Sequence, residues 1–199
     1  MKTSFSLRVR SSSMFDPFVL ATLTLLFSYH SIIEEIAAQV AEKESTLMAR
    51  VEQFEATNSL KRNLSEMSAL DVSEEAVQTL QSLATFHSAL EKLDIFVRFL
   101  EQISEMYANL FVSKSGRTIN ADSLLTYVCR HIILAKVENL HAEVGFTEEF
   151  AKDEHLLRGK SGYALVTMQA SLHILNDCSD YGDLFLQEDE VVDKIKIHR

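Results

Sequence analysis

Two short stretches of this chain carry side chains that could act on something outside it. Asn120-Ala121-Asp122-Ser123-Leu124-Leu125 places a carboxylate at the mouth of an almost wholly apolar helix. Gly159-Lys160-Ser161-Gly162-Tyr163 is a two-glycine turn, and its tyrosine is predicted to start a second apolar helix. An acid and an amphipathic aromatic, each at a helix start beside a loop, suit contact with a partner better than burial in a core. Each also has a plainer use. Asp122 can cap its own helix by accepting backbone N–H bonds, and Tyr163 can hold its hydroxyl toward water.

Covalent and metal chemistry find little support. Arg158-Gly159-Lys160-Ser161 contains the Gly-Lys-Ser of a phosphate loop, but Glu154 stands where that loop needs its first glycine, and no strand precedes it. Ser171 and His173 are two residues apart and so leave a helix on different sides. Pairs such as Glu34-Glu35 and Glu148-Glu149 read as solvated faces. The histidines are scattered without a metal-ligand spacing, and Cys129 and Cys178 form no Cys-x-x-Cys pair. No metal and no cofactor are expected.

The elements that must position Asp122 and Tyr163 read as helices throughout. The 199 residues suffice for one sizeable core, and 47% of them are hydrophobic. There are only five glycines and one proline, and residues 18–115 contain neither. From Pro17 a first helix runs with Ile33, Ile36, Val40, Leu47, Val51 and Phe54 on one stripe, with a break expected near Asn58-Ser59. Asn63 to Asp71 reads as a loop, and Asp71-Val72-Ser73-Glu74 offers cap chemistry for the next helix. Further helices are expected over Leu90–Phe111 and Leu124–Val137, in short pieces near Leu140–Val144 and Glu148–His155, and over Tyr163–Leu175. Leu124, Val128, Cys129 and Ile132 belong to the second of these and should lie in the main core. The fold class is an all-α layered bundle. It divides into a flexible, basic, Ser-rich start (1–13), an N-terminal helical segment (14–72), a helical core (73–180), and a tail that is acidic and then charged (181–199).

Charge narrows the partners. With 19 basic and 29 acidic residues the net charge is −10, which disfavours nucleic-acid binding and a polybasic grip on an anionic membrane. No direct membrane insertion is expected, because the apolar run Phe18–Tyr29 is too short to span a bilayer. That run, behind Lys2, Arg8 and Arg10, also has the look of a targeting segment, which would place a secreted helical protein among the alternatives. The main reading is a core helix that Asp16-Pro17 starts.

Several of these pieces occur together in one known family. Glu91-Lys92-Leu93, then Ala121-Asp122-x-Leu124-Leu125 with the apolar helix after it, then Asn139-Leu140-His141-Ala142-Glu143 with Phe150, and finally Leu156-x-x-Gly159-x-x-Gly162-Tyr163 follow in order. From about Glu74 to Asn176 the chain resembles the Vps-nine domain of exchange factors for endosomal Rab GTPases. The resemblance implies a guanine nucleotide exchange factor for Rab-five-class small GTPases, working in the cytoplasm and recruited to early endosomes. It implies Asp122 as the acid that enters the GTPase nucleotide site and Tyr163 as a GTPase contact. Two further family positions depart. The family's proline falls on Thr126, where it would stand in the first helical turn and its missing N–H would be tolerated. The family's threonine falls on Val166, with Thr167 next to it but turned about 100° round the helix. The Pro-Arg expected before Glu-Lys-Leu is Ala89-Leu90. These departures keep open a Vps-nine-like helical scaffold that binds a GTPase without exchanging its nucleotide.

Overall fold

The computed structural model describes residues 17–61, 72–115, 119–151 and 157–177. Among them are six α-helices and no strand: α1 (Pro17–Lys61), α2 (Glu74–Gln81), α3 (Ala89–Ser115), α4 (Ala121–Ala135), α5 (Leu140–Phe150) and α6 (Lys160–Asp177), with a 3-10 turn at Ser82–Thr85 after α2. The all-α bundle expected from the sequence is the fold observed. The expected loop at Asn63–Asp71, the Asp16 cap, the first thirteen residues and the tail lie outside the described residues.

α4 is the buried centre, as its apolar circumference requires. Leu124, Val128, Cys129 and Ile132 are all buried, and Phe96, Phe99, Ile103, Met168 and Leu172 share the same core. The contacts give the helix directions. Tyr107 rests on Tyr127 with ring centroids 5.6 Å apart, and Phe99 on His131 at 6.3 Å, so α3 and α4 are antiparallel. Lys160 meets Glu101 near one end of α6; near the other, Asn176 meets His141, two residues before Glu143, the partner of Lys92. α3 and α6 are therefore antiparallel too. α4 and α6 run the same way, and their first turns share one end of the bundle.

Three expectations are corrected. α1 does not break at Asn58-Ser59 but stays helical to Lys61. The short helix expected over Leu140–Val144 runs on to Phe150 with Gly145 inside it beside Ile36, so the glycine is not a stop, and the remainder of the second expected piece, to His155, lies largely outside the described residues. The apolar start of α1 is helical but is not core. Val19, Leu23, Leu25 and Phe27 are exposed, and Tyr29 is the first buried side chain among the described residues.

α1 is held to α5 by polar contacts as well as by apolar packing. Glu44 accepts the N–H bonds of Leu140 and His141 at 3.2 and 3.1 Å and faces His141 Nδ1 at 2.9 Å. It caps α5 from another helix, because Asn139, in the left-handed region at φ 57°, makes no cap bond with its own side chain. These bonds outweigh burial and hold the Glu44 carboxyl below its usual range.

Candidate functional site

Asp122 is not the cap of its helix. Asn120 is: its backbone is extended, and its Oδ1 accepts the Ser123 N–H at 2.7 Å. The sequence reading gave this role to Asp122, but Asn120, two positions earlier, is as good a cap by residue type. Asn120 holds the Ser123 N–H, and among the described residues no side-chain contact engages the exposed Asp122 carboxylate. It projects from the first turn of α4, where the helix dipole favours an anion.

Thr126 is half-buried, and its hydroxyl donates to the Asp122 carbonyl at 3.1 Å. The helix starts earlier than expected, with Leu124 N–H already donating to Asn120 O at 3.0 Å. Position 126 therefore lies in the regular i→i−4 ladder and not in the first turn. The expectation that proline is tolerated there fails, because it would delete a ladder bond and clash with the Asp122 carbonyl.

Tyr163 does not begin α6 either. Gly159, at φ 79°, turns the chain, α6 starts at Lys160, and Tyr163 N–H closes the first turn on Gly159 O at 3.1 Å. Gly162 is needed for a different reason. A β-carbon there would overlap the Leu157 carbonyl, so only glycine lets the incoming loop lie against the helix start. Lys160 meets Glu101 of α3 at 2.5 Å; both are well exposed, so the pair adds little stability.

Along α6, Tyr163 and Val166 are 54% and 62% exposed and stand one turn apart on its outer side. Thr167 is buried, and its hydroxyl donates to Tyr163 O at 2.7 Å. That bond and its inward direction remove Thr167 as a stand-in for a hydroxyl at 166. The inner side of α6 continues the pattern. Ser171 donates to Thr167 O at 2.8 Å, and Cys129 Sγ of α4 lies 3.6 Å from Ser171 O. The structure thus gathers Asp122, Tyr163 and Val166 as exposed side chains on two parallel, packed helices, and turns Thr167 away from them.

A second polar cluster went unread in the sequence. Lys92 is fully buried, with Nζ 2.6 Å from Glu143 Oε2, 3.1 Å from the Leu83 carbonyl and 5.0 Å from the Tyr29 ring centroid. Lys92 and Glu143 thus form a buried ion pair. Tyr29 donates its hydroxyl to the other Glu143 oxygen at 2.8 Å. Burial pushes the Lys92 ammonium down while Glu143 opposes it; burial and Glu143 together push the Tyr29 phenol up. Lys92 and Glu143 belong to two sequence pieces noted above, 51 positions apart. Only folding reveals them as one buried pair that joins α3 to α5, with α1 supplying the tyrosine.

His131 is buried on α4. Its Nε2 accepts the Ser73 N–H at 3.0 Å while its Nδ1 lies 2.7 Å from Tyr127 O, so the neutral ring ties α2's start to α4. Burial pushes its pKa down to about 4.

A family model described as the vacuolar sorting protein 9 (VPS9) domain matches residues 73–179. No curated protein matches the chain. The matched span opens on Ser73, which caps α2 by accepting the Ala76 N–H, and takes in α2 through α6.

Proposed function

The chain belongs to the VPS9-domain family, and on that premise we propose that it is a guanine nucleotide exchange factor for a Rab-five-class small GTPase. Membership itself implies exchange activity toward Rab GTPases; the GTPase class, the acid and the endosomal setting are the finer reading. The observation that carries it is the freed carboxylate. Asn120 takes over capping, so Asp122 is exposed on the end of the bundle that also presents Tyr163 and Val166.

The mechanism is physical. A Rab holds its nucleotide through the phosphate loop, its lysine and Mg²⁺. The Asp122 carboxylate, inserted there, pairs with that lysine in place of the phosphate and repels the phosphate by like charge, which weakens the hold on nucleotide and metal together. Tyr163 and Val166 pack against the switch regions. Exchange follows because the factor binds the nucleotide-free state best, and by reciprocity incoming nucleotide expels the factor. The setting is the cytoplasmic face of early endosomes.

A second reading is favoured by Val166 and Thr126. Val166 offers no hydroxyl to the partner, and Thr126 spends its own on the Asp122 carbonyl. A scaffold that binds a Rab without emptying it would show just these features. Release of a fluorescent nucleotide from a panel of Rabs separates the two. The parent should accelerate release from a Rab-five-class member. Asp122→Asn, which removes charge from a residue that holds no cap, should melt with the parent yet lose that acceleration. If Asp122→Asn exchanges like the parent, the acid has no role at the nucleotide site. If the parent binds Rab but never accelerates release, the scaffold reading stands.

A further inference from the structure

Aspartate carries its carboxylate on a short stem with two torsions, so where the group stands is set largely by the backbone beneath it. At Asp122 that backbone is held from both sides. On the side before it, Ile119 packs against the core. Asn120 follows in an extended conformation, φ −83° and ψ 166°, with its Oδ1 on the Ser123 N–H at 2.7 Å and its carbonyl on the Leu124 N–H at 3.0 Å. Both bonds span Asp122. On the side after it, the Thr126 hydroxyl donates to the Asp122 carbonyl at 3.1 Å. Helix ends ordinarily fray, but opening the first turn of α4 at Asp122 breaks at least one of these bonds. None of them engages the carboxylate, which stays exposed.

The Thr126 bond is not explained by stability. A hydroxyl bonded back to the carbonyl four residues earlier adds little to a helix and tends to bend it. Its effect here falls on the course of the first turn, where Asp122 stands. The demand for such control comes from the exchange chemistry, and the inference rests on that reading. The carboxylate must reach a lysine that a phosphate already holds, and a misplacement of about 1 Å at a reacting site can cost on the order of a hundredfold in rate. A first turn that had to be ordered during the encounter would subtract from the interaction it makes.

We propose that Asn120 and Thr126 are positioning residues for Asp122. The cap and the hydroxyl fix the main chain on either side of the acid, so that the carboxylate meets the GTPase already oriented. The resemblance set Thr126 against the GTPase; in this role it acts through Asp122 instead.

The test is release of a fluorescent nucleotide from a Rab-five-class GTPase by the full chain, over a range of GTPase concentrations and well below the melting temperature of each variant. Asn120→Ala should lower kcat about tenfold and Thr126→Val about threefold, each with KM within about twofold of the parent. Asn120→Ser restores a capping oxygen and Thr126→Ser keeps the hydroxyl, so both should return kcat to within about twofold of the parent. A merely structural role would move the melting temperature and leave the kcat of the folded protein unchanged. The proposal is overturned by an unchanged kcat in Asn120→Ala or Thr126→Val, by a raised KM at constant kcat, or by serine variants as slow as those two. Should Asn120→Ala fail to fold, the Thr126 pair decides alone, because valine matches threonine in shape and in helix propensity. A parent that accelerates release from no Rab overturns the exchange reading and this inference with it. A parent that exchanges, beside variants that exchange equally well, overturns this inference alone.

Discussion

Single residues here are best understood by asking which of their groups the fold already uses. Asp122 and Asn120 are both acceptable caps, and the backbone employs Asn120. Among the described residues the Asp122 carboxylate contributes to stability through the helix dipole, worth up to about 1 kcal/mol, and its proposed work lies outside the chain. His131 is the opposite case, since both ring nitrogens are occupied within the core. Its folded pKa is about 4 against 6.5 unfolded. Above pH 6.5 the ring is neutral in both states and the full stability is present. As pH falls, the unfolded chain takes up the proton first, so stability is lost progressively down to about 4. The loss reaches about 3 kcal/mol, from 1.36 kcal/mol per unit. His131→Gln, which keeps an acceptor within reach of Ser73, should flatten that part of the stability–pH curve measured by urea unfolding. A curve as steep as the parent's would place the acid sensitivity elsewhere.

At the level of elements, a shift of a helix start by three residues changes what a substitution does. α4 was expected from Leu124 and begins at Ala121. Position 126 then moves from the tolerant first turn into the hydrogen-bonded ladder. Thr126→Pro should destabilise by about 3 kcal/mol and lower the melting temperature. Val166→Thr replaces one exposed β-branched residue by another of similar helix propensity and should leave melting unchanged. It should also raise the exchange rate if a hydroxyl at 166 bonds the partner. The two family departures thus separate: one is built into this helix, and the other is open to repair. A Thr126→Pro protein that melts like the parent would show that the ladder adapts, against the geometry described here.

Across the whole molecule, α1 belongs to the same core as the matched domain although it precedes that domain in the chain. Tyr29 completes the Lys92–Glu143 pair, and Glu44 caps α5 and faces His141, which in turn meets Asn176 of α6 at 2.7 Å. α1, α5 and α6 are joined through this one chain of polar contacts. Glu44→Ala would leave two backbone N–H groups at the half-buried start of α5 without their acceptor. It should cost about 1–3 kcal/mol and make α1 the first segment cut in limited proteolysis. An unchanged melt and digestion pattern would mean that Leu47, Val51 and the other apolar contacts hold α1 alone.

The helical class, the centrality of α4 and the exposure of Asp122 and Tyr163 beside loops were legible in the sequence, because each rests on local periodicity and on helix ends. Leu124, Val128, Cys129 and Ile132 are buried for the reason their spacing implied. The family was legible too, from short pieces in a fixed order that the match to residues 73–179 bears out. What tertiary structure decided are choices between locally equal options. Asn120 and Asp122 are both able to cap α4, and in the folded chain the Ser123 N–H goes to Asn120. Phe18–Tyr29 is apolar enough for a core, yet Leu25 and Phe27 face outward, on a side of α1 that no described helix covers. Lys92 and Glu143 look like surface charges by type, and they are buried because three helices converge on them. Local pattern states what a segment can do; which neighbour reaches it depends on helix lengths and directions that no short window contains.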